Sequence, residues 1–472
     1  MRGEKRFFRT VCTLAIPAAL QSLLQSSFSL VDQIMIGQLG AVSVAAVGLA
    51  GKFASIYAVV IAAIGAVAGI MISQYLGQDA PAEVRRSFFT NLWLGFGLAG
   101  AFTALCLLCP GAIMRAYTAD AQTLQTAADY LRLLAGTYLP VAGATMLATA
   151  FRCAEKPRLP LYAGIASALL NTILNDLLIF GKCGIPPLGI FGAGCANALA
   201  NFCTLSIAAG FFLSQRQSEY PTRGHRQFEW SICRKLLFFG TPAGLQTFIR
   251  NAAFAIVVMM IGKLGKEELT ATSIALSINM IGNMPMIGLM DATSIVTGQY
   301  IGKRKLLAAD RISGRSWRML MVWVLTASVF YLFFPELLID IFGSRTRGGG
   351  IDMTEVHDYV ATILQLAVIF NVLDATRFIA MGSLRGAGDT RIPLLIGMAT
   401  SWLIQIPGTV YLVNFAHASL AQVWQLIVFY IGVDAALMVW RRRSGAWKKI
   451  KVIDLPPADP EQELLEERNT TY

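Results

Sequence analysis

Four carboxylates stand in stretches that are otherwise apolar: Asp32, Asp176, Asp291 and Asp374, with Asp434 closer to a basic C-terminal run. An acid at membrane depth costs about 2.5–3.5 kcal/mol on insertion scales, so such a side chain is expected to face a wet cavity or a partner. There it can exchange a proton or hold a cation. The alternative is structural pairing with Lys52, Arg250 or Arg377, the basic residues of the same stretches. Ser167, Asn171 and Asn175 recur at i, i+4 and i+8, which places three oxygen-bearing side chains on one helix face. That stripe suits a cation or proton network near Asp32, and equally suits interhelical hydrogen bonding that holds a bundle together.

Other chemistries find little support. Cys106 and Cys109 form a CxxC with no second ligand pair, so no metal site is expected, and the eight cysteines are scattered without a disulfide framework. The three histidines, His225, His357 and His417, fall in loops or at helix ends, where no serine, histidine and aspartate set can be assembled. No GxxxxGK[ST] phosphate loop occurs. An enzyme is therefore not expected, and neither is a cofactor beyond a coupling ion, sodium or proton.

The elements that must carry the acids follow from composition. With 55% hydrophobic and only 14% charged residues among 472, too few charges are present to coat a water-soluble protein. Apolar runs of about 20 residues recur without period-two alternation, which selects helices over barrel strands. Twelve spans are expected, at about 10–37, 43–72, 88–112, 127–151, 160–181, 187–214, 235–262, 268–298, 316–342, 358–383, 392–414 and 418–440. The apolar run within Met1–Leu24 could pass for a signal peptide, but no cleavage site follows and a similar segment recurs mid-chain, so it is read as the first span.

Of the 39 Lys and Arg residues, 29 flank the spans on the side of the two termini and seven on the other, which predicts cytoplasmic termini in the plasma (inner) membrane. The net charge of +11 is explained by that asymmetry beside an anionic leaflet, and nucleic acid is not an expected partner. Residues 455–472, rich in Glu and Pro, read as a solvated end.

An internal repeat organises the chain. IPAALQSLLQ…IGQLG, with Pro17 and Gln21, returns as TPAGLQTFIR…IGKLG, with Pro242 and Gln246, and SQYLG at Gln74 returns as GQYIG at Gln299, all 225 positions on. AFRCAEKPRLP (Arg152) matches SLRGAGDTRIP (Arg385) at an offset of 233. The expected fold is all-α and integral to the membrane, with two six-helix lobes, 1–230 and 231–440, related by a pseudo-two-fold along the membrane normal, and a cytoplasmic tail, 441–472. Two similar halves around a midplane site are what alternating access requires.

These residues resemble the multidrug and toxic compound extrusion (MATE) family. The likeness spans roughly 10–440 and rests on LVDQIMIGQLGAVSVAAVGLA, SQYLGQ, LNTILNDLLIFGKCGIPPLGIFGAGCANA and LDATRFIAMGSLRGAGDTRIPLLIG. It implies twelve helices in two lobes and export of amphipathic, typically cationic, small molecules in exchange for sodium or protons. By the same resemblance, Asp32 matches the first-helix acid of the family's N-lobe cation site, Asn171 a polar member of it, and Asp374 an acid of the C lobe. The chain also departs from the family. Asn175 and Asp176 stand where LNxxLDP is usual, Asn197 replaces a common threonine, and Arg250 stands where many members carry glutamate. The expected coupling set is therefore Asp32, Asn171, Asn175, Asp176 and Asn197, and the expected C-lobe set is Arg250, Asp291, Asp374 and Arg377. Because Arg250 and Arg377 can neutralise Asp374 and Asp291, anionic or zwitterionic cargo stays open.

The leading reading is a monomeric, cation-coupled exporter of amphipathic small molecules. A flippase for a lipid-linked precursor, a task of the wider superfamily, is the alternative. Flippases of that kind often add helices or line the cleft with arginines, and twelve spans with few central charges fit that less well. An integral-membrane lipid enzyme would need a catalytic cluster at one interface, and none is found.

Overall fold

The computed structural model describes residues 13–453 other than 15, 18, 19, 22, 23, 25–27, 29, 30, 183, 185, 215–227 and 344–352. The expected solvated end at 455–472 lies outside them. The described residues form helices and no strands: α1 (described continuously over 31–37), α2 (Ala41–Gly77), α3 (Pro81–Leu108), α4 (Pro110–Arg115), α5 (Ala121–Cys153), α6 (Arg158–Phe180), α7 (Ile190–Ser214), α8 (Trp230–Ile261), α9 (Lys266–Gly302), α10 (Leu306–Phe333), α11 (Pro335–Gly343), α12 (Met353–Gly386), α13 (Arg391–Thr400), α14 (Ile406–Asn414) and α15 (Leu420–Arg443). Eleven of the spans that follow α1 are long and apolar enough to cross a membrane, with α13 and α14 forming one of them, Arg391–Asn414. The all-α, integral-membrane class expected from composition is the one that forms.

Local chemistry sets where these helices stop. Asp120 caps α5 by accepting from the Thr123 amide at 2.8 Å. Gly181 ends α6 in the left-handed conformation that glycine tolerates without a Cβ clash. Ser419 and Gln422 form a reciprocal capping box at the start of α15. Between α13 and α14 a π-helical turn, Ser401–Gln405, leads into Pro407, which cannot donate to the backbone ladder.

The repeat extends from motifs to geometry. Helices α2 and α9 are both 37 residues long and begin 225 positions apart. Helices α3 and α10 are both 28 residues long at the same offset. The turns match as well: Asp79 and Arg304 have φ of 57° and 59°, Glu155 and Gly388 have 58° and 84°, and Gly184 and His417 have 83° and 47°. Three left-handed turn residues in register, four of the six not glycine, indicate that both copies use the same reversals.

The chain divides into two compact units, Ile16–Gly244 and Leu245–Tyr472 with Met1–Ala15. The division falls inside α8 rather than in the segment before it. In the first unit Gly244 of α8 lies so close to α2 that a Cβ there would stand 2.8 Å from Ala63. Tyr57, Phe102 and Tyr138 form that unit's aromatic centre, with the Tyr57 hydroxyl donating to the Tyr138 carbonyl at 2.6 Å. In the second unit the later half of α8 supplies Val257, Met260 and Ile261 to an apolar cluster with Val360, Leu364 and Trp424. Elsewhere in the unit helices α9 and α12 approach with little room: a Cβ on Gly382 would sit 2.6 Å from the Met290 carbonyl oxygen.

The chain after α15 is docked rather than free as far as Ile453. Trp447, Val452 and Ile453 are 1%, 2% and 2% exposed, and the Trp447 indole donates to the Arg442 carbonyl at 2.9 Å. Arg441 pairs with buried Asp389 at 2.7 Å, while Arg442 and Lys448 reach Asp310 at 3.0 and 3.8 Å. Trp447 packs with Ile301, Ala309 and Leu384, so the segment closes one end of α9, α10 and α12. Burying each of its three apolar side chains contributes about 1.5–3 kcal/mol. Truncation after Ile453 is expected to leave the melting temperature in detergent unchanged, and truncation after Arg443 to lower it by about 5 °C or more. Equal melting temperatures for the two truncations would contradict a docked segment.

Candidate functional site

In the first unit, α6 presents the Ser167, Asn171 and Asn175 stripe to α7 and α1. The Asn175 amide, 0% exposed, donates from Nδ2 to Asp32 Oδ1 and to Asn171 Oδ1, the latter at 3.1 Å. Asn171 donates in turn to Asn197 Oδ1 at 3.1 Å, and Asn197 also reaches the Asp32 carboxylate. Ser167 donates to the Ala200 carbonyl at 2.7 Å, and Asn201 to the Asn197 carbonyl at 2.8 Å. The two helices can exchange these short side chains because they nearly touch: a Cβ on Gly192 would stand 2.6 Å from the Leu178 carbonyl oxygen.

Asp32, Asn171, Asn197 and Asn201 line a cavity of about 460 Å³ that also runs past Gln21, Phe28 and Thr204, with Asn175 buried behind it. Amides stabilise a carboxylate by donating hydrogen bonds without cancelling its charge. Asp32 therefore faces the cavity with amide donors around it and, among the described residues, no cation paired to it. The Asn175 Oδ1 atom is buried with no hydrogen-bond partner, a spare oxygen beside the same carboxylate. Among the described residues no ion pair joins Asp32 to Lys52, which is exposed, so the structural pairing has no geometric basis. Buried Tyr130 on α5 hydrogen-bonds Asn197 and lies near Asp32, a member that sequence reasoning missed.

The structure does not bring Asp176 into this set. Successive residues on a helix point about 100° apart, so Asn175 and Asp176 cannot face one cavity together. Asp176 pairs instead with Lys182 at 2.8 Å, both side chains well exposed.

The second unit holds a charged network. Arg377 meets Asp374 Oδ1 through Nη2 at 2.5 Å and Nε at 2.7 Å, and its Nε lies 3.8 Å from Asp434 Oδ2. Asp374, Arg377 and Asp434 are 4%, 3% and 1% exposed. Thr400 donates to Asp434 Oδ1 at 3.1 Å. Arg250 lies in the field of Arg377, Tyr430, Asp374 and Asp434. Arg385 donates to Gln246 Oε1 at 3.1 Å, feels the charge of Asp291, and is held by a Gln246 that donates to the Pro393 carbonyl at 2.9 Å. Arg250, Asp374 and Arg377 thus share one network, which Asp434 joins more closely than its position near the basic run suggested, and Asp291 joins through Arg385. The position of Asp32 in the repeat is taken here by Val257, 0% exposed in the apolar cluster.

A family model described as MatE matches residues 17–177 and 242–411, so that its two segments begin at the repeated prolines Pro17 and Pro242. The chain belongs to the MatE family. Among curated relatives, the probable multidrug resistance protein NorM of Thermotoga maritima is 24% identical over 443 residues, covering 93% of each chain. Its namesake from Neisseria meningitidis serogroup B is 27% identical over 444 residues, covering 92% of this chain and 93% of the relative. A crystal structure of a MATE protein in complex with MaL6 superposes with a TM-score of 0.85 at 20% identity, covering 93% of this chain and 97% of that one.

Within this MATE protein the two units differ in how their charge is balanced. Asp32 is held by neutral amides, whereas Asp374 and Asp434 are held by a guanidinium. Removing Arg377 leaves two buried carboxylates without their cation, so Arg377→Ala is expected to destabilise by about 3–5 kcal/mol. Adding Asp374→Ala to it should recover part of that loss, with a coupling of about 0.5–3 kcal/mol in a double-mutant cycle read by unfolding in detergent. Strictly additive losses would show that the pair is not coupled.

Proposed function

We propose that this protein is a cation-coupled antiporter that exports amphipathic small molecules by alternating access, with Asp32 as the coupling group. The observation that carries the reading is the Asp32 carboxylate, hydrogen-bonded by Asn175 and Asn197 but not neutralised, on the wall of a cavity. Asn171 and Asn175 hold it in place, and sodium or a proton is the ion it takes. The names of the relatives, multidrug resistance proteins, support cargo of broad chemistry. The buried Val257 at the repeat position of Asp32 supports asymmetric coupling through the first unit alone.

Exchange of an ion at Asp32 changes the local charge by one, and a carboxylate at depth is more costly charged than neutral. If the two access states solvate that charge differently, ion binding shifts their populations, which links ion to cargo. Asp32→Asn is expected to express and melt like the wild type yet lose gradient-driven efflux of a cationic dye from proteoliposomes, with sodium and proton gradients imposed separately. A well-folded Asp32→Asn protein with undiminished efflux would remove the coupling role. Poor expression of the same variant would indicate a structural role instead.

The reading places the protein as a monomer in the plasma (inner) membrane, and the 29 against seven distribution of basic residues supports cytoplasmic termini. On a background without native cysteines, Pro187→Cys is expected to react with an impermeant thiol reagent added outside whole cells, and Lys303→Cys only after permeabilisation. The opposite pattern would reverse the orientation.

A further inference from the structure

The two units share a polar triad and use it differently. In the second, Arg385 donates to Gln246 Oε1 at 3.1 Å, Gln246 Nε2 donates to the Pro393 carbonyl at 2.9 Å, and Gln246 is 4% exposed. The arginine there spends a donor on an amide oxygen that the chain itself supplies. The repeat puts Gln21, Arg152 and Pro160 at the same places in the first unit. The helices keep the register too: a Cβ on Gly164 would stand 3.8 Å from Gln21 Nε2, and one on Gly397 3.5 Å from Gln246 Nε2.

In the first unit the triad is open. Gln21, Arg152 and Pro160 all line the cavity that Asp32 lines, and among the described residues no hydrogen bond joins Gln21 to Arg152 or to Pro160. Arg152 donates to Thr149 Oγ1 at 3.3 Å, and a guanidinium carries five N–H donors, so that bond does not exhaust it. The cavity separates this polar end from the acid. On α6 its lining runs from Asn171 to Pro160 and on α7 from Asn197 to Ala208, about 16 Å on each helix at the α-helical rise. Asn171 and Asn197 belong to the Asp32 end, whereas Arg152 and Pro160 flank the turn between α5 and α6. Between the two ends the walls are largely apolar, with Val141, Ala144, Ala148 and Ile165.

We propose that Gln21 and Arg152 determine specificity at this end of the cavity by receiving a carbonyl oxygen of the cargo, in the place that the Gln246 amide oxygen takes in the second unit. The cargo that fits is an elongated amphiphile with a cation at the Asp32 end and a carbonyl group about 16 Å away. This inference rests on the export reading above and deepens it by naming the chemical class of the cargo.

Two probes test it: an alkyl trimethylammonium of matching length whose chain ends in a carboxamide, and the same chain ending in methyl. Their affinities for the purified full chain in lipid nanodiscs are read by isothermal titration, and comparing the ratio of the two between proteins cancels their partition into lipid. Gln21→Met is expected to weaken the carboxamide probe about tenfold relative to the methyl probe, as loss of a hydrogen bond shared with a charged donor requires. Gln21→Glu, which gives Arg152 an acceptor of its own, should lower the ratio as well and stands in if the Met variant folds poorly. Gln246→Met, by contrast, should leave the ratio unchanged and lower the melting temperature, since it strips a buried arginine of its acceptor, whereas Gln21→Met should melt like the wild type. An unchanged ratio in both Gln21 variants would overturn the inference, and so would equal melting temperatures for Gln21→Met and Gln246→Met. Either result leaves export standing if the wild type still drives dye efflux from proteoliposomes. Absence of any gradient-driven efflux would overturn the export reading itself.

Discussion

A charge carried into the apolar interior of this chain must be met by donors or acceptors from the protein, because lipid supplies none. The hydrogen bond from Asn175 to Asp32 is the sharpest instance. It requires α6 to present Asn175 to α1, and it requires α7 to lie close enough for Asn197 to complete the amide chain. That closeness rests on Gly192 against the Leu178 carbonyl, where any side chain would push α7 away. The acid that can do chemistry is thus tied to a glycine that does none.

The second unit meets the same constraint with the opposite chemistry. Its helices repeat those of the first in length and in the left-handed turns between them, yet Val257 lies buried where the first unit has Asp32. Its acids sit on α12 and α15 instead and are held by Arg377. A carboxylate bound by amides keeps its charge available, and one bound by a guanidinium has it cancelled. One backbone plan therefore supports a carboxylate held by neutral amides in one copy and a network of acids and guanidinium groups in the other.

The arginines of the second unit are divided among separate acids. Those at the end of α15 are consumed by Asp389 and Asp310 as the following segment docks through Trp447, Val452 and Ile453. Asp434, two turns earlier on the same helix, faces Arg377 rather than the basic run beside it. The docked segment packs against the ends of α9 and α12, two of the helices that carry the network, and of α10.

Much of this was written in the sequence. Composition and run length required membrane helices, the two offsets required a duplicated plan, and the i, i+4, i+8 stripe with Asp32 and Asn197 named most of the first site, because helical period and the cost of buried charge are local properties. What only the tertiary structure decided is which neighbours close around each charge. Asp176 and Asn175 are adjacent in sequence but face different surroundings, Tyr130 enters the site from α5 although its neighbours Asp129 and Arg132 pair with each other instead, and the division of the chain falls within α8. Asp434, Arg385 and Gln246 take their places through contacts between helices distant in the chain. Such pairings depend on helix rotation and separation, which glycine contacts and turn geometry set in three dimensions and which no single stretch of sequence contains.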